Sequence, residues 1–221
     1  MSEEQLFHTN YEYKDRETKA EYVWLKYGSI LEGKILDAGA DECYLKRYLG
    51  DSASYWGVGL GDGIDQQVDL EKERIPFPDN SFDSVLCLDV LEHLDNIHEA
   101  FDELCRVARR YVLVSLPNPW GSFWRRLRGG YYRPEQAVKF YGLPPEAPSD
   151  RHKWFFSCEE AERFIRYRAA RNGMNVLQLD VSEIRSSALK RLAVKILLRR
   201  NVDLRNIYAT RVWAVLEKAC D

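Results

Sequence analysis

Three places in this sequence group reactive side chains: the pair Glu92-His93, the run Asp150-Arg151-His152-Lys153, and the turn Asp37-Ala38-Gly39. An imidazole exchanges protons near neutral pH, so His93 suits a general base acting on a substrate hydroxyl or amine. The plainer role for Glu92 and His93 is to cap or orient the end of a strand. Arg151 and His152 close a long irregular stretch and come over a pocket if that stretch folds back. Otherwise they belong to a polar loop anchored by Trp154, Phe155 and Phe156. Asp37-Ala38-Gly39 ends a short apolar run at a turn, the place where α/β proteins bind nucleotide-like ligands.

Other chemistries are excluded by spacing. A dinucleotide fingerprint started at Gly39 needs glycines at 41 and 44, where the chain has Asp41 and Tyr44. The run Gly57-Val58-Gly59-Leu60-Gly61-Asp62-Gly63 resembles a phosphate cradle, but no Gly-Lys-Ser/Thr follows, and Asp62 and Asp65 repel phosphate. It reads as a glycine-rich turn. The five cysteines (Cys43, Cys87, Cys105, Cys158, Cys220) contain no Cys-x-x-Cys pair. Neither a zinc-finger site nor a disulfide framework is expected, no metal site is read from the spacing, and a reducing cytoplasm is the expected compartment.

The elements that must position these groups follow from periodicity. Lys19 to Leu31 predicts a helix, and residues 34–38 predict a buried strand. Tyr44, Leu45, Tyr48 and Leu49 lie at helical spacing, closed by Gly50. Further strands are expected at 55–58, 83–88 and 111–116. Between the last two, Asn96 with Glu99 predicts a capping box for a helix whose apolar face is Ile97, Ala100, Phe101, Leu104, Val107 and Ala108. Strands without alternation, separated by helices, imply a parallel sheet covered on both faces. Prolines and glycines interrupt the rhythm from Pro119 to Lys153, so an insertion or lid is expected at about 119–156 within one domain spanning 1–221. Ser157 with Glu160 caps the next helix, Asn172-Gly173 ends it, and strands at 176–181 and 208–216 enclose a basic helix.

The 221 residues suffice for one α/β domain, and 45% hydrophobic with 30% charged residues is the balance of a soluble globular protein. No run approaches the ~20 apolar residues of a membrane span. The net charge of −3 hides an asymmetry: residues 1–117 hold 12 Lys+Arg against 24 Asp+Glu, and residues 118–221 hold 20 against 11. The basic half carries two apolar stripes. Trp120, Phe123, Trp124 and Leu127 lie beside Arg125, Arg126 and Arg128. Leu189, Leu192, Ile196 and Leu197 lie among Lys190, Arg191, Lys195, Arg199 and Arg200. Such patterns suit a peripheral contact with anionic lipid or an acidic protein partner, although most such helices pack their apolar face on the domain. No nucleic-acid motif accompanies the charges, so a nucleic-acid partner is not expected.

The chain resembles the class I methyltransferases that use S-adenosylmethionine. The resemblance rests on Ile35-Leu36-Asp37-Ala38-Gly39, Val68-Asp69-Leu70 and Pro76-Phe77-Pro78-Asp79-Asn80-Ser81-Phe82-Asp83. It continues through Asp89-Val90-Leu91-Glu92-His93-Leu94, Glu103-Leu104-Cys105-Arg106-Val107 and Ser115-Leu116-Pro117-Asn118, covering about residues 30–120. It implies a doubly wound, mostly parallel seven-stranded α/β sheet and S-adenosylmethionine as cofactor. In that arrangement Asp37, Gly39 and Ala40 face the methionine part, Gly59 and Leu60 the ribose, Asp69 and Leu70 the adenine, and Leu88 and Asp89 the sulfonium. His93 and His152 are the catalytic candidates.

Three positions depart from the family pattern. Asp41 and Cys43 replace glycines of Asp-x-Gly-x-Gly-x-Gly, and Gly59 replaces the acid expected to hold the ribose hydroxyls. A charge-assisted bond of that kind contributes ~1.5–3 kcal/mol, so Gly59→Asp is expected to tighten cofactor binding. The resemblance implies methyl transfer to a small-molecule, glycan or lipid-linked acceptor. The alternative is a non-catalytic methyltransferase-fold protein acting as a binding or regulatory subunit.

Overall fold

The computed structural model describes residues 6–129, 146, 151–184, 186–197 and 203–219. Seven strands form one sheet: β1 (Gly33–Ala38), β2 (Ala53–Gly59), β3 (Gln66–Gln67), β4 (Phe82–Leu88), β5 (Ala108–Pro117), β6 (Met174–Glu183) and β7 (Ala209–Lys218). Their order is β3-β2-β1-β4-β5-β7-β6. The first five run parallel, while β7 pairs antiparallel with both β5 and β6. The helices are α1 (Arg16–Tyr27), α2 (Ile97–Val107), α3 (Pro119–Gly129), α4 (Cys158–Arg171), α5 (Ala188–Leu197) and the single turn α6 (Arg205–Tyr208).

Both faces of the sheet are buried, and the period of two along each strand divides the core. Leu36, Ala38, Val85, Cys87, Val112 and Val114 face α2 and α4. Ile35, Leu86, Leu113, Trp213 and Val215 face α1, where Phe7, Tyr22, Tyr27 and Trp213 stack. Unbroken apolar strands imply a sheet covered on both faces, and the doubly wound, mostly parallel order is the one the family resemblance implies. β1 lies inside the sheet between β2 and β4, so its carboxyl end opens onto the crevice where the chain switches direction.

Local readings differ from the structure in several places, among them the two-residue strand β3 and the helix α3 where an irregular insertion was expected. Asn96 occupies the cap position of α2, but its side chain makes no capping bond and instead donates to Leu70 O at 3.1 Å. A tertiary carbonyl has outcompeted the local donor. Residues 44–49 form only a 3-10 turn, Tyr44–Arg47, preceded by Cys43 in the left-handed region. α1 begins earlier than expected, because Asp15 and Thr18 form a capping box. At α4 the Ser157–Glu160 capping box is present as read from sequence. Of the expected insertion, α3 and residues 151–157 are described, and 130–145 and 147–150 lie outside the described residues.

Candidate functional site

A cavity of about 830 Å³ opens at the carboxyl ends of β1 and β4. It is lined by Asp37, Gly39, Ala40, Leu88 and Asp89, and by Glu92, His93, His152, Lys19 and Arg211. Gly39 turns with φ +87°, and a Cβ there would sit 2.2 Å from Val90 Cγ2. Only glycine lets the chain leave β1 pressed against Val90. Gly39 and Ala40 donate their N–H groups to Val58 O at 2.7 and 3.0 Å, so both shape the cavity without offering it a donor.

Asp89 is the electrostatic centre. It adopts φ +61°, costly for a non-glycine residue, and three side chains hold it there. Lys19 Nζ donates at 2.9 Å, Arg211 Nε at 2.5 Å and Ser115 Oγ at 2.8 Å. Burial opposes its charge, but Lys19 and Arg211 outweigh that and keep its carboxyl below the usual range. Asp37 responds the other way. Burial pushes it up, and the bond from the Tyr55 hydroxyl at 2.8 Å offsets this only in part. Burial, followed by the Asp89 charge, also pushes Glu92 up.

His93 and His152 meet, although 58 residues of chain separate them in the sequence. Their rings lie 4.4 Å apart, edge to face. The cause is a set of contacts that lays the segment 152–154 on the turn after β4. Lys153 N donates to Glu92 O at 2.8 Å, and Trp154 Nε1 to Leu94 O at 2.7 Å. Lys153 Nζ pairs with Asp95 at 2.7 Å and also with Glu71. Arg151 is exposed and does not line the cavity.

The other sequence candidates lie elsewhere. Gly59, Leu60, Asp69 and Leu70 are not among the cavity residues. Leu60 is 72% exposed, Asp69 pairs with Lys72 at 2.7 Å, and Leu70 lines a separate recess of about 140 Å³ with Ile75, Leu91 and Asn96. The glycine run has a packing reason. A Cβ at 57 would meet Cys43 Sγ at 2.6 Å, one at 59 would meet Ala40 O at 2.9 Å, and one at 61 would meet Asp41 O at 2.6 Å. The loop after β1 therefore rests directly on the end of β2. Asp41, which also lines the cavity, pairs with Arg16. Sequence reasoning missed Lys19, Arg211 and Tyr13, whose hydroxyl accepts from Arg211 at 2.7 Å. The available signal was chemical: a buried aspartate at a strand end requires cations.

Residues 57–114 match the family model of a methyltransferase domain. Solved structures resemble the whole fold. A methyltransferase dependent on S-adenosylmethionine from Archaeoglobus fulgidus is 15% identical, with a TM-score of 0.58, over 92% of this chain and 95% of that one. Magnesium protoporphyrin IX methyltransferase from Synechocystis PCC 6803, solved with S-adenosylhomocysteine, is 16% identical with a TM-score of 0.56, over 92% and 83%. The 4+2 cyclase SpnF is 13% identical with a TM-score of 0.56, over 93% and 82%. No curated protein matches the chain in sequence. At these identities the structures establish the fold, that of the class I methyltransferases.

Proposed function

We propose that this chain, which carries a methyltransferase domain in the class I fold, transfers a methyl group from S-adenosylmethionine to a hydroxyl or amine of an amphiphilic, lipid-linked acceptor. The observation that carries this reading is the cavity at the ends of β1 and β4, where buried acids and two histidines converge. The residues present fit the cationic half of the cofactor. Of the carboxyl groups at one end of the cavity, burial pushes Asp37 and Glu92 up, while Lys19 and Arg211 keep Asp89 ionised, so Asp89 is the carboxylate a sulfonium would meet. When bound, the cofactor supplies an electrophilic methyl on that sulfonium.

The chain's own residues supply position and proton management. Leu88 and Asp89 form the wall beside the transferred group, and Lys19 and Arg211 hold Asp89 in place. His93 is the base for an acceptor hydroxyl or amine, with His152 against it from the folded-back segment. Most of the rate comes from positioning, which supplies about 7–11 kcal/mol in well-oriented reactions. The acceptor class is supported by α5, which follows directly on the cavity rim at Glu183 and Ile184 and buries none of its residues.

A second reading, a non-catalytic binding or regulatory subunit, is favoured by the loop after β1 resting on β2 with no carboxylate at its end. Calorimetric titration with S-adenosylmethionine and S-adenosylhomocysteine separates the two. Binding of both ligands, weakened by Asp89→Asn, is the expected result. Absence of heat with either at millimolar concentration overturns the catalytic reading.

A further inference from the structure

Glu92, His93 and His152 each offer one ligand atom, and those atoms lie within 4.8 Å of one another. We infer that they form a binding site for a divalent transition ion of the zinc type, with its open coordination position facing the cavity. This assignment does not depend on methyl transfer; an ion held by His93 occupies the ring lone pair, so His93 serves as a base only in the metal-free chain. It also departs from the spacing of histidines and cysteines along the chain, which suggested no metal, because the third ligand comes from a distant segment.

Four observations carry the site. Two imidazoles and one carboxylate are the ligand set of open, three-ligand zinc sites, and imidazole selects borderline ions over magnesium or calcium. Glu92 is 1% exposed and, among the described residues, its Oε2 atom accepts no hydrogen bond. A buried carboxylate oxygen left without a donor is costly, and a cation relieves that cost. Glu92 Oε1 lies 3.7 Å from His93 Nε2, longer than a hydrogen bond but close to the spacing of two ligands on one ion. Finally, His152 is not placed by chance. The backbone bond from Lys153 to Glu92 O and the Trp154 bond to Leu94 O fasten its segment beside the other two ligands.

All three residues line the large cavity, so the remaining coordination position is reachable from it. An ion there takes water in the open position or an oxygen of a bound molecule. Histidine and carboxylate ligands hold their geometry through neighbouring bonds, and here the Glu92 backbone supplies one of them.

The test uses the full chain, stripped with a chelator and dialysed, and needs no methyl donor. Titration with Zn²⁺ should show one ion per chain, and Co²⁺ should give the visible absorption of a low-coordinate site. Mg²⁺ should not compete. His93→Asn and His152→Asn should each weaken Zn²⁺ at least about tenfold, while His8→Asn, an exposed histidine away from the site, should leave it unchanged. Zn²⁺ should raise the thermal midpoint of the wild type and not of His93→Asn, with circular dichroism confirming that both are folded. Absence of stoichiometric Zn²⁺ binding, or equal binding in both histidine variants, overturns the site. Because cofactor binding is titrated separately, failure of the methyl-transfer reading and failure of the metal site give different results.

Discussion

Arg106 shows why one sequence signature of this fold exists. Its guanidinium donates to Ile75 O at 2.9 Å, Phe77 O at 2.8 Å, Asp79 at 2.8 Å and Glu103 at 2.8 Å. The segment Pro76–Asp83 is thereby tied to α2, and the paired motifs serve structure rather than chemistry. Arg106→Ala is expected to cost about 2–4 kcal/mol in urea unfolding, since several charge-assisted bonds are lost together. Glu103 is held down to about 2: burial opposes its charge, and bonds from Arg106 and Arg74 more than compensate. Its folded value lies below its unfolded one, so its contribution is complete above roughly pH 4.5 and fades as pH falls toward 2. Glu103→Gln should flatten the acid limb of stability over that window. At Gly59 the expectation from sequence is revised. A side chain there meets Ala40 O, so Gly59→Asp should lower stability by about 1–3 kcal/mol instead of restoring a ribose contact. A thermal melt of the variant, with and without S-adenosylmethionine, checks this.

At the scale of elements, α5 is the anomaly. Leu189, Leu192, Ile196 and Leu197 are 79%, 55%, 71% and 76% exposed, so the apolar face is open instead of packed. Lys190 and Lys195 are exposed beside it, whereas Arg191 is tethered to Glu183 and stacked 4.8 Å over Tyr208. Arg199 and Arg200 lie outside the described residues. An open apolar face beside lysines suits an anionic lipid surface. Co-sedimentation with anionic vesicles should exceed that with neutral vesicles and weaken as salt rises. Leu189→Asp with Ile196→Asp should abolish it without loss of fold, because neither residue is buried. Binding that ignores lipid charge would remove this role. Among the described residues, no helix is long and apolar enough to cross a membrane.

At the scale of the whole molecule, the acidic and basic halves meet at the cavity. Strands β1 to β5 deliver Asp37 and Asp89, and the later part of the chain returns Arg211 on β7 and His152 ahead of α4. The site is therefore complete only when residues 151–157 are docked on the turn after β4. Trp154→Phe removes the bond to Leu94 O while leaving most of the ring packing. Limited proteolysis should then cut near residues 151–157 faster in this variant than in the wild type. Unchanged cutting would show that the Lys153 contacts alone fix the segment.

What the sequence determined by itself was local and periodic. Six of the seven strand positions and the Ser157 capping box follow from patterns within a few residues, and the seven-stranded architecture followed from the family resemblance. Tertiary structure decided everything that depends on which distant segments touch. It set His152 against His93, brought Lys19 and Arg211 to Asp89, and turned Asn96 away from its own helix toward Leu70. It also filled the space over Gly57, Gly59 and Gly61 with the neighbouring loop, so that glycines resembling a ligand cradle became a bed for backbone. The physical reason is the same in each case. A side chain's propensity is set by its immediate neighbours along the chain, whereas its charge partner, its burial and its empty space are set by whatever the sheet order places beside it.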